Sequence, residues 1–313
     1  MQKTVLVTGG AGFIGSHTVD QLVAEGYYVR ILDNLSTGNI VNIEKHLSSG
    51  KAELIKGDIR DAATVKESLK EVDAVTHFAA LVSVPLSVKN PELTFDVNLL
   101  GTLNLLRYSI EAKLEKFVFI SSCSVCGNPD TLPVTEETPP NPISPYAESK
   151  LLGERYCSGF SERQLLQTII LRFFNVYGPR QTMNDYSGVI TRFIDCCRQK
   201  SPLTIYGDGS QTRDFVNVKD VAAAVAASIR SKSKTGEIFN IGSGQATAIN
   251  TLAKTILELS GRALEIHHEK PRTGDIKDSC ADISKAKKLL GYEPKINLKD
   301  GLSHFFEGAP VDN

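Results

Sequence analysis

Tyr146 and Lys150 are separated by three residues in Tyr146-Ala147-Glu148-Ser149-Lys150. On a helix this spacing puts the phenol and the ammonium on one face, one turn apart. A free tyrosine ionises near pH 10, at about 10, too high for a base at neutral pH. A nearby ammonium and a positively charged nicotinamide both favour the phenolate and lower that value. Ser122 closes the apolar run that begins Phe117-Val118-Phe119-Ile120, and its hydroxyl can bridge a substrate and the phenol. Together the three groups suit a proton shuttle to or from a hydroxyl while a hydride moves at the same carbon. A bare Tyr-x-x-x-Lys also describes an ordinary amphipathic helix start. Its weight depends on the elements that come before it.

Those elements begin with Thr8-Gly9-Gly10-Ala11-Gly12-Phe13-Ile14-Gly15. The apolar run Thr4-Val5-Leu6-Val7 predicts a buried strand, and Ile14, Thr18 and Leu22 recur at the spacing of one helix face. Gly10, Gly12 and Gly15 satisfy G-x-G-x-x-G, and Gly9, Gly12 and Gly15 satisfy G-x-x-G-x-x-G. In a strand–loop–helix context such glycines permit a tight turn, close approach of a pyrophosphate and close helix packing. The helix N-terminus then offers N–H groups and a positive dipole end to the phosphates. Asp33 ends the next apolar run, Tyr28 to Leu32, about 20 residues on, where an acid binds a ribose 2′-hydroxyl. Its carboxylate repels a 2′-phosphate, which favours NAD over NADP. The plainer alternative is a strand-to-helix turn with a surface Asp.

Further along, Asn34-Leu35-Ser36-Thr37-Gly38 reads as a loop, and Ala52 to Lys56 as a strand ending at Gly57-Asp58-Ile59. There an adenine can rest beside an acid and an apolar chain; Asp61 reads as a helix N-cap. Ala74 to Ala80 predicts a strand ending in the small residues Ala79 and Ala80, and Pro91 to Ala112 a long helix containing Asn98. Gln167 to Arg172 is another strand. The alternation predicts an α/β fold: a Rossmann-type doubly wound parallel sheet with ligands outside the carboxyl ends of its strands. Beyond Asn175 the alternation weakens, and a smaller C-terminal α/β lobe is expected. The expected division is a dinucleotide-binding domain over 1–172, also receiving 214–240, and a mainly substrate-binding lobe over 173–313.

The 313 residues are 41% hydrophobic and 23% charged, enough to bury a core without staples. A net charge of −1 with no basic tail argues against nucleic acid and an anionic membrane surface. No apolar run approaches the roughly 18 residues of a membrane span. The N-terminus enters a strand at once, so no signal peptide is expected and the default compartment is the cytoplasm. The six cysteines do not read as a disulfide framework, and Cys123-x-x-Cys126 reads as thiols packed like small hydrophobes. No second pair stands at metal-ligand spacing and no histidines pair at i, i+4, so no metal is expected.

Five motifs now stand together: the glycine loop, Tyr146-x-x-x-Lys150, Arg172-Phe173-Phe174-Asn175-Val176-Tyr177-Gly178-Pro179, Gly207-Asp208-Gly209-x-x-x-Arg213-Asp214-Phe215 and Pro271-Arg272-x-Gly274-Asp275. Over the whole chain they resemble the extended short-chain dehydrogenase/reductases, and within these the UDP-glucose (UDP-galactose) 4-epimerases. The resemblance implies a catalytic set of Ser122, Tyr146 and Lys150. It implies NAD held by Gly9, Gly12, Phe13, Ile14, Asp33, Asn34, Ser36, Gly38, Asp58, Ile59, Ala79, Ala80, Asn98, Tyr146 and Lys150. The UDP-sugar would be held by Ser122, Tyr146, Asn175, Arg213, Arg272, Asp275 and Ser279. Two arginines on separate loops suit a diphosphate, each offering a charged planar fork. The resemblance also implies a homodimer formed through Pro91–Ala112 and Pro145–Arg163.

Related dehydratases place an Asp-Glu pair, and decarboxylases a Glu, just after the strand-end hydroxyl residue. Here Cys123 and Ser124 stand there, with no acid to work at C5 and C6. The usual Val-Tyr-Gly is Val125-Cys126-Gly127, which changes the floor of the site. Ser279 takes a position where some epimerases limited to plain hexoses carry a bulky Tyr, so room for a 2-acetamido group is expected. The competing expectations are a reductase or dehydratase acting on a nucleotide sugar, and a non-catalytic NAD-binding regulator.

Overall fold

The computed structural model describes residues 2–182, 188–232, 236–271 and 276–307. Strands and helices alternate through the first half: β1 (Thr4–Thr8), α1 (Phe13–Ala24), β2 (Tyr28–Asp33), α2 (Glu44–Ser48), β3 (Ala52–Lys56), α3 (Ala62–Ser68) and β4 (Ala74–His77). Then come α4 (Val84–Lys89), α5 (Pro91–Phe95), a π-turn (Asp96–Leu100), α6 (Gly101–Glu111), β5 (Lys116–Ser122), α7 (Pro145–Glu162) and β6 (Thr168–Phe173). The long helix expected over Pro91–Ala112 is therefore interrupted by the π-turn that carries Asn98.

The second half contributes β7 (Asn175–Tyr177), α8 (Val189–Gln199), β8 (Leu203–Tyr206), β9 (Thr212–Asn217), α9 (Val218–Arg230) and β10 (Glu237–Ile241). After these follow β11 (Ala246–Ala248), α10 (Ile249–Ser260), β12 (Ile266–Glu269), α11 (Ser284–Leu290) and α12 (Leu298–Ser303). The large sheet has seven strands in the order β10-β6-β5-β4-β1-β2-β3, all parallel. The order reverses at β1 and β4, the crevice where doubly wound sheets bind ligands.

Both faces of this sheet are covered, so its strands are almost continuously apolar and buried. On one face α1 and α9 pack over Val5, Val7 and Ile31 through Val19, Leu22 and Ala226. On the other, Leu105 and Leu106 of α6 and Cys157 of α7 pack over Leu6, Val75, Phe117 and Phe119. The smaller lobe holds β11-β9-β7 and β12-β8, with a core of Phe193, Ile194, Leu203, Phe215, Leu252 and Leu302.

Local chemistry fixes the ends of the helices. Asp61 accepts from the Ala63 and Thr64 amides to start α3, and Ser144 caps α7 ahead of Pro145. Behind α1 the fit is tight: a Cβ on Gly15 would lie 2.2 Å from the Gly9 carbonyl oxygen. Gly153 plays the same part on α7, where a Cβ would lie 2.3 Å from the Phe119 ring. The missing side chain lets α7 settle directly on β5.

A buried ion pair strengthens that seating. Arg172 of β6 donates through Nε and Nη2 to both oxygens of Glu154 on α7, at 2.8 and 2.7 Å, and Ser121 Oγ donates to Glu154 Oε1 at 2.5 Å. Each charged side chain is only 3% exposed. Removing one member leaves the other charge buried without compensation, the costly case for such pairs. Glu154→Ala is expected to destabilise the fold by about 3 kcal/mol, read from urea unfolding at neutral pH. An unchanged midpoint would mean that the pair contributes nothing net.

Candidate active site

The carboxyl ends of β1 to β6 bring the expected residues to one edge of the sheet. At the end of β1, α1 opens at Gly12 with no side chain capping its first turn. Within 4 Å a Cβ on Gly12 would meet only the Gly9 carbonyl oxygen, at 3.2 Å. The outer face of the loop is thus bare backbone, a cradle in which the amides of Phe13 and Ile14 can receive a pyrophosphate. A side chain at Gly12 would fill it.

At the end of β2, Asp33 is 7% exposed and accepts from the Ala11 amide at 2.9 Å and the Leu35 amide at 2.8 Å. Gly38 packs over it, since a Cβ there would lie 3.0 Å from both carboxylate oxygens. The Asn34 side chain accepts from the Ser36 amide at 3.0 Å and donates to Asp58 at 3.1 Å. Arg60 forks onto Asp58 at 2.9 and 3.0 Å and reaches Asp96 at 2.9 Å. That guanidinium holds the Asp58 carboxyl at about 2. Asn34, Ser36, Gly38 and Asp58 therefore form one wall, with Ile59 buried behind Asp58. These residues fit NAD: backbone for the pyrophosphate, a fixed anion for ribose hydroxyls, and an acid beside an apolar chain for adenine.

Ala79 and Ala80 follow β4. Asn98 holds that segment: its Oδ1 accepts from the Leu81 amide at 2.7 Å, and its Nδ2 donates to the Leu81 carbonyl and to Ser149 Oγ, both at 3.0 Å. Its amide is thus engaged by the loop that carries Ala79 and Ala80.

The catalytic set assembles on β5 and α7. Ser122 Oγ accepts from the Ser124 amide at 3.2 Å and lies near enough to the Tyr146 phenol to affect its titration. Lys150 is buried, donates to the Ile120 carbonyl at 2.9 Å and lies 5.2 Å from the centre of the Phe119 ring. Burial pushes the Tyr146 phenol up to about 12, with the nearby Ser122 hydroxyl opposing it. Burial also draws the Lys150 ammonium down to about 8, opposed by Cys157 and Glu154. Among the protein's own groups desolvation dominates the phenol and Lys150 donates to a backbone carbonyl; the expected lowering includes the charge of a bound nicotinamide.

On the substrate side, Asn175 opens β7, and Arg213 on β9 donates to the Thr212 carbonyl at 2.7 Å and the Lys277 carbonyl at 3.2 Å. Ser279 is 5% exposed and lies beside Cys123, which also neighbours the Tyr146 phenol. Burial pushes the Cys123 thiol up to about 12, so it is a neutral lining group. All six cysteines are free thiols. Arg272 and Asp275 lie outside the described residues. Among the described residues no cluster of three His, Cys, Asp or Glu could hold a metal, and no helix is long and apolar enough to cross a membrane.

Some working residues carry no expected role. Asp214 is fully buried and accepts from the Ser243 amide and hydroxyl (2.7 and 2.6 Å), the Gly244 amide (3.0 Å) and the Ala281 amide (3.0 Å). Its position beside Arg213 in a motif was the available signal. Arg180 likewise fastens the loop after β7 to α1, through Ser16 at 3.1 Å and Asp20 at 2.7 Å.

Residues 5–242 match the model of the "NAD dependent epimerase/dehydratase family". A Methanocaldococcus jannaschii protein provisionally named a UDP-glucose 4-epimerase is 45% identical over 301 residues, covering 95% of each chain. The UDP-glucose 4-epimerase of Thermotoga maritima, solved with UDP-glucose, superposes with a TM-score of 0.92 at 38% identity, covering 97% of both chains. The UDP-N-acetylglucosamine 4-epimerase of Methanobrevibacter ruminantium, solved with UDP-N-acetylmuramic acid, gives 0.93 at 36% identity, covering 98% of this chain and 97% of that one. On these matches the chain belongs to the NAD dependent epimerase/dehydratase family and uses NAD.

Proposed function

We propose that the protein interconverts the 4-epimers of a UDP-hexose, UDP-glucose and UDP-galactose first, and UDP-N-acetylglucosamine and UDP-N-acetylgalactosamine as well. The observation that carries this reading is the Ser122 hydroxyl brought beside the Tyr146 phenol at a strand end next to a dinucleotide cradle, with no acid at positions 123 and 124. A dehydratase needs groups to move protons at C5 and C6, and neutral Cys123 and Ser124 cannot replace a carboxylate there.

NAD, when bound, supplies a hydride acceptor that returns the hydride within one turnover. Tyr146 takes the proton of the sugar 4-hydroxyl as the 4-keto sugar forms, and returns it to the same oxygen once the sugar has turned its other face to the returning hydride. Ser122 bridges that oxygen and the phenol. Lys150 lies one turn along the same helix and contributes positive charge favouring the phenolate. Arg213 and Arg272 hold the diphosphate while the hexose turns over, Asp275 accepts from ribose hydroxyls, and Asn175 faces the sugar. The strand-end residues 1–172, with 214–240, hold the cofactor; most of 173–313 holds the substrate. Exposed Leu100 (52%) and Tyr156 (42%), on the two expected helical segments, offer apolar surface through which a homodimer would form.

Purified protein should convert UDP-galactose to UDP-glucose without stoichiometric added NAD(H); a requirement for added NAD(H) would indicate a reductase instead. Tyr146→Phe removes one oxygen and should cut turnover at least about a hundredfold while UDP-sugar binding, read by calorimetry, persists. Ser279→Tyr should reduce turnover of the acetamido sugar about tenfold more than that of the plain hexose, because added volume meets the larger substrate first. Equal losses on both substrates would refute the pocket assignment.

Lys150 also sets a pH dependence of stability. Its ammonium titrates at about 8 in the fold against 10.5 when exposed. Between those values the unfolded chain binds more protons, so this group makes stability rise with pH across that window, and its cost is fully present below it. Lys150→Met should remove that rise: between about pH 7.5 and about pH 9.5 its urea midpoint gains less than the parent's.

A further inference from the structure

We propose that His77 is a positioning residue that fixes the loop after β4 relative to the helix carrying Tyr146 and Lys150, through one directed chain of hydrogen bonds. The proposal rests on the reading of Tyr146 as the base.

His77 ends β4 at the switch point and is 2% exposed. Its ring lies 6.0 Å from those of both Phe117 and Phe119, and the charge of Lys150 faces it. Its two nitrogens have hydroxyl partners: Nδ1 with Thr8 Oγ1 at 2.7 Å, and Nε2 with Thr102 Oγ1 at 2.8 Å. The surrounding bonds decide which nitrogen carries the proton. Thr102 Oγ1 donates its only hydrogen to the Asn98 carbonyl at 2.6 Å, so it must accept from His77 Nε2–H. Thr8 Oγ1 accepts from the Ala79 amide at 3.3 Å, which leaves its hydrogen for Nδ1. The imidazole is therefore neutral, with its proton on Nε2. Burial and the Lys150 charge agree, pulling its titration down to about 3.

From Thr102 the chain continues in both directions that matter. Asn98 grips both polar groups of the Leu81 backbone and donates to Ser149 Oγ, which donates to the Tyr146 carbonyl at 2.7 Å. Asn98 sits in the π-turn, a rare geometry that gathers at functional sites. One end of the chain thus holds Ala79, expected at the cofactor, and the other holds the first turn of the catalytic helix. From the Ala79 amide to the Asn98 carbonyl the hydrogen bonds run in one direction, which fixes the His77 tautomer, and the Asn98 side chain carries the connection on to Ser149 and Tyr146. Without the ring nitrogens, loop and helix would still pack but lose their mutual register, and small displacements are costly to catalysis.

The test reads the chain with and without substrate. In NAD-loaded parent protein, nitrogen NMR should show the His77 proton on Nε2 with no titration between about pH 5 and about pH 9. His77→Phe keeps the aromatic contacts, and Thr102→Val keeps the shape; each should speed amide exchange at Ala79 and Leu81 about tenfold. Both should lower epimerisation kcat about tenfold with KM within about twofold. His77→Gln places an amide nitrogen where Nε2 stood and should recover most of the kcat lost in His77→Phe. A proton on Nδ1, a titration within that range, unchanged amide exchange, or a Gln variant no better than Phe would each overturn the proposal. If His77→Phe fails to fold, Thr102→Val carries the same measurements. The tautomer and exchange readings need no substrate, so a parent inactive on every UDP-hexose would refute the proposed function and leave this test standing.

Discussion

A parallel sheet cannot be joined by hairpins. Each strand needs a crossover to return the chain to its starting edge, and each crossover leaves a strand's carboxyl end at the other edge. Seven such strands therefore collect Gly9–Gly15, Asp33, Asp58, Ala79, Ser122 and Asn175 from distant parts of the sequence along one line. The reversal of strand order between β1 and β4 opens a crevice there. The meeting of Ser122 with Tyr146, and of Asp33 with the glycine loop, depends on that geometry, because these groups lie far apart in sequence.

Within the crevice the dominant electrostatic effect is desolvation. It raises the Tyr146 phenol to about 12 and lowers the Lys150 ammonium to about 8, favouring the neutral form of each. Neither shift makes a base by itself. The protein contributes a dry, tightly packed setting in which an added positive charge near the phenol acts at low dielectric and so counts for more than in water. The Glu154–Arg172 pair maintains that setting, since it seats α7 while satisfying its own charges internally.

Much of this was legible in the chain. The glycine loop, the acid ending β2 and the Tyr-x-x-x-Lys spacing name local geometries that one stretch of sequence determines. Apolar runs bounded by turn residues located six of the seven strands of the large sheet for the same reason, all but β10. The π-turn at Asp96–Leu100 was not legible, because a single extra residue in a helical turn leaves the apolar spacing almost intact. His77 and Asp214 were missed on different grounds. A lone histidine in an apolar run, or an acid beside an arginine, acquires its role only when segments remote in sequence supply its partners: Thr8 and Thr102 for one, Ser243, Gly244 and Ala281 for the other. The upward push of burial on the Tyr146 phenol is a tertiary property, invisible in the spacing of Tyr146 and Lys150.

Asp214 gathers four donors from two separate segments onto one carboxylate beneath Arg213. The backbone around Ser279 is tied to the same anchor through Ala281. These segments are pinned to a common post and cannot swing apart independently. A pocket walled in this way has little give, so its tolerance for bulkier sugars is written in the size of individual side chains, and a change of diet needs a single residue to be exchanged.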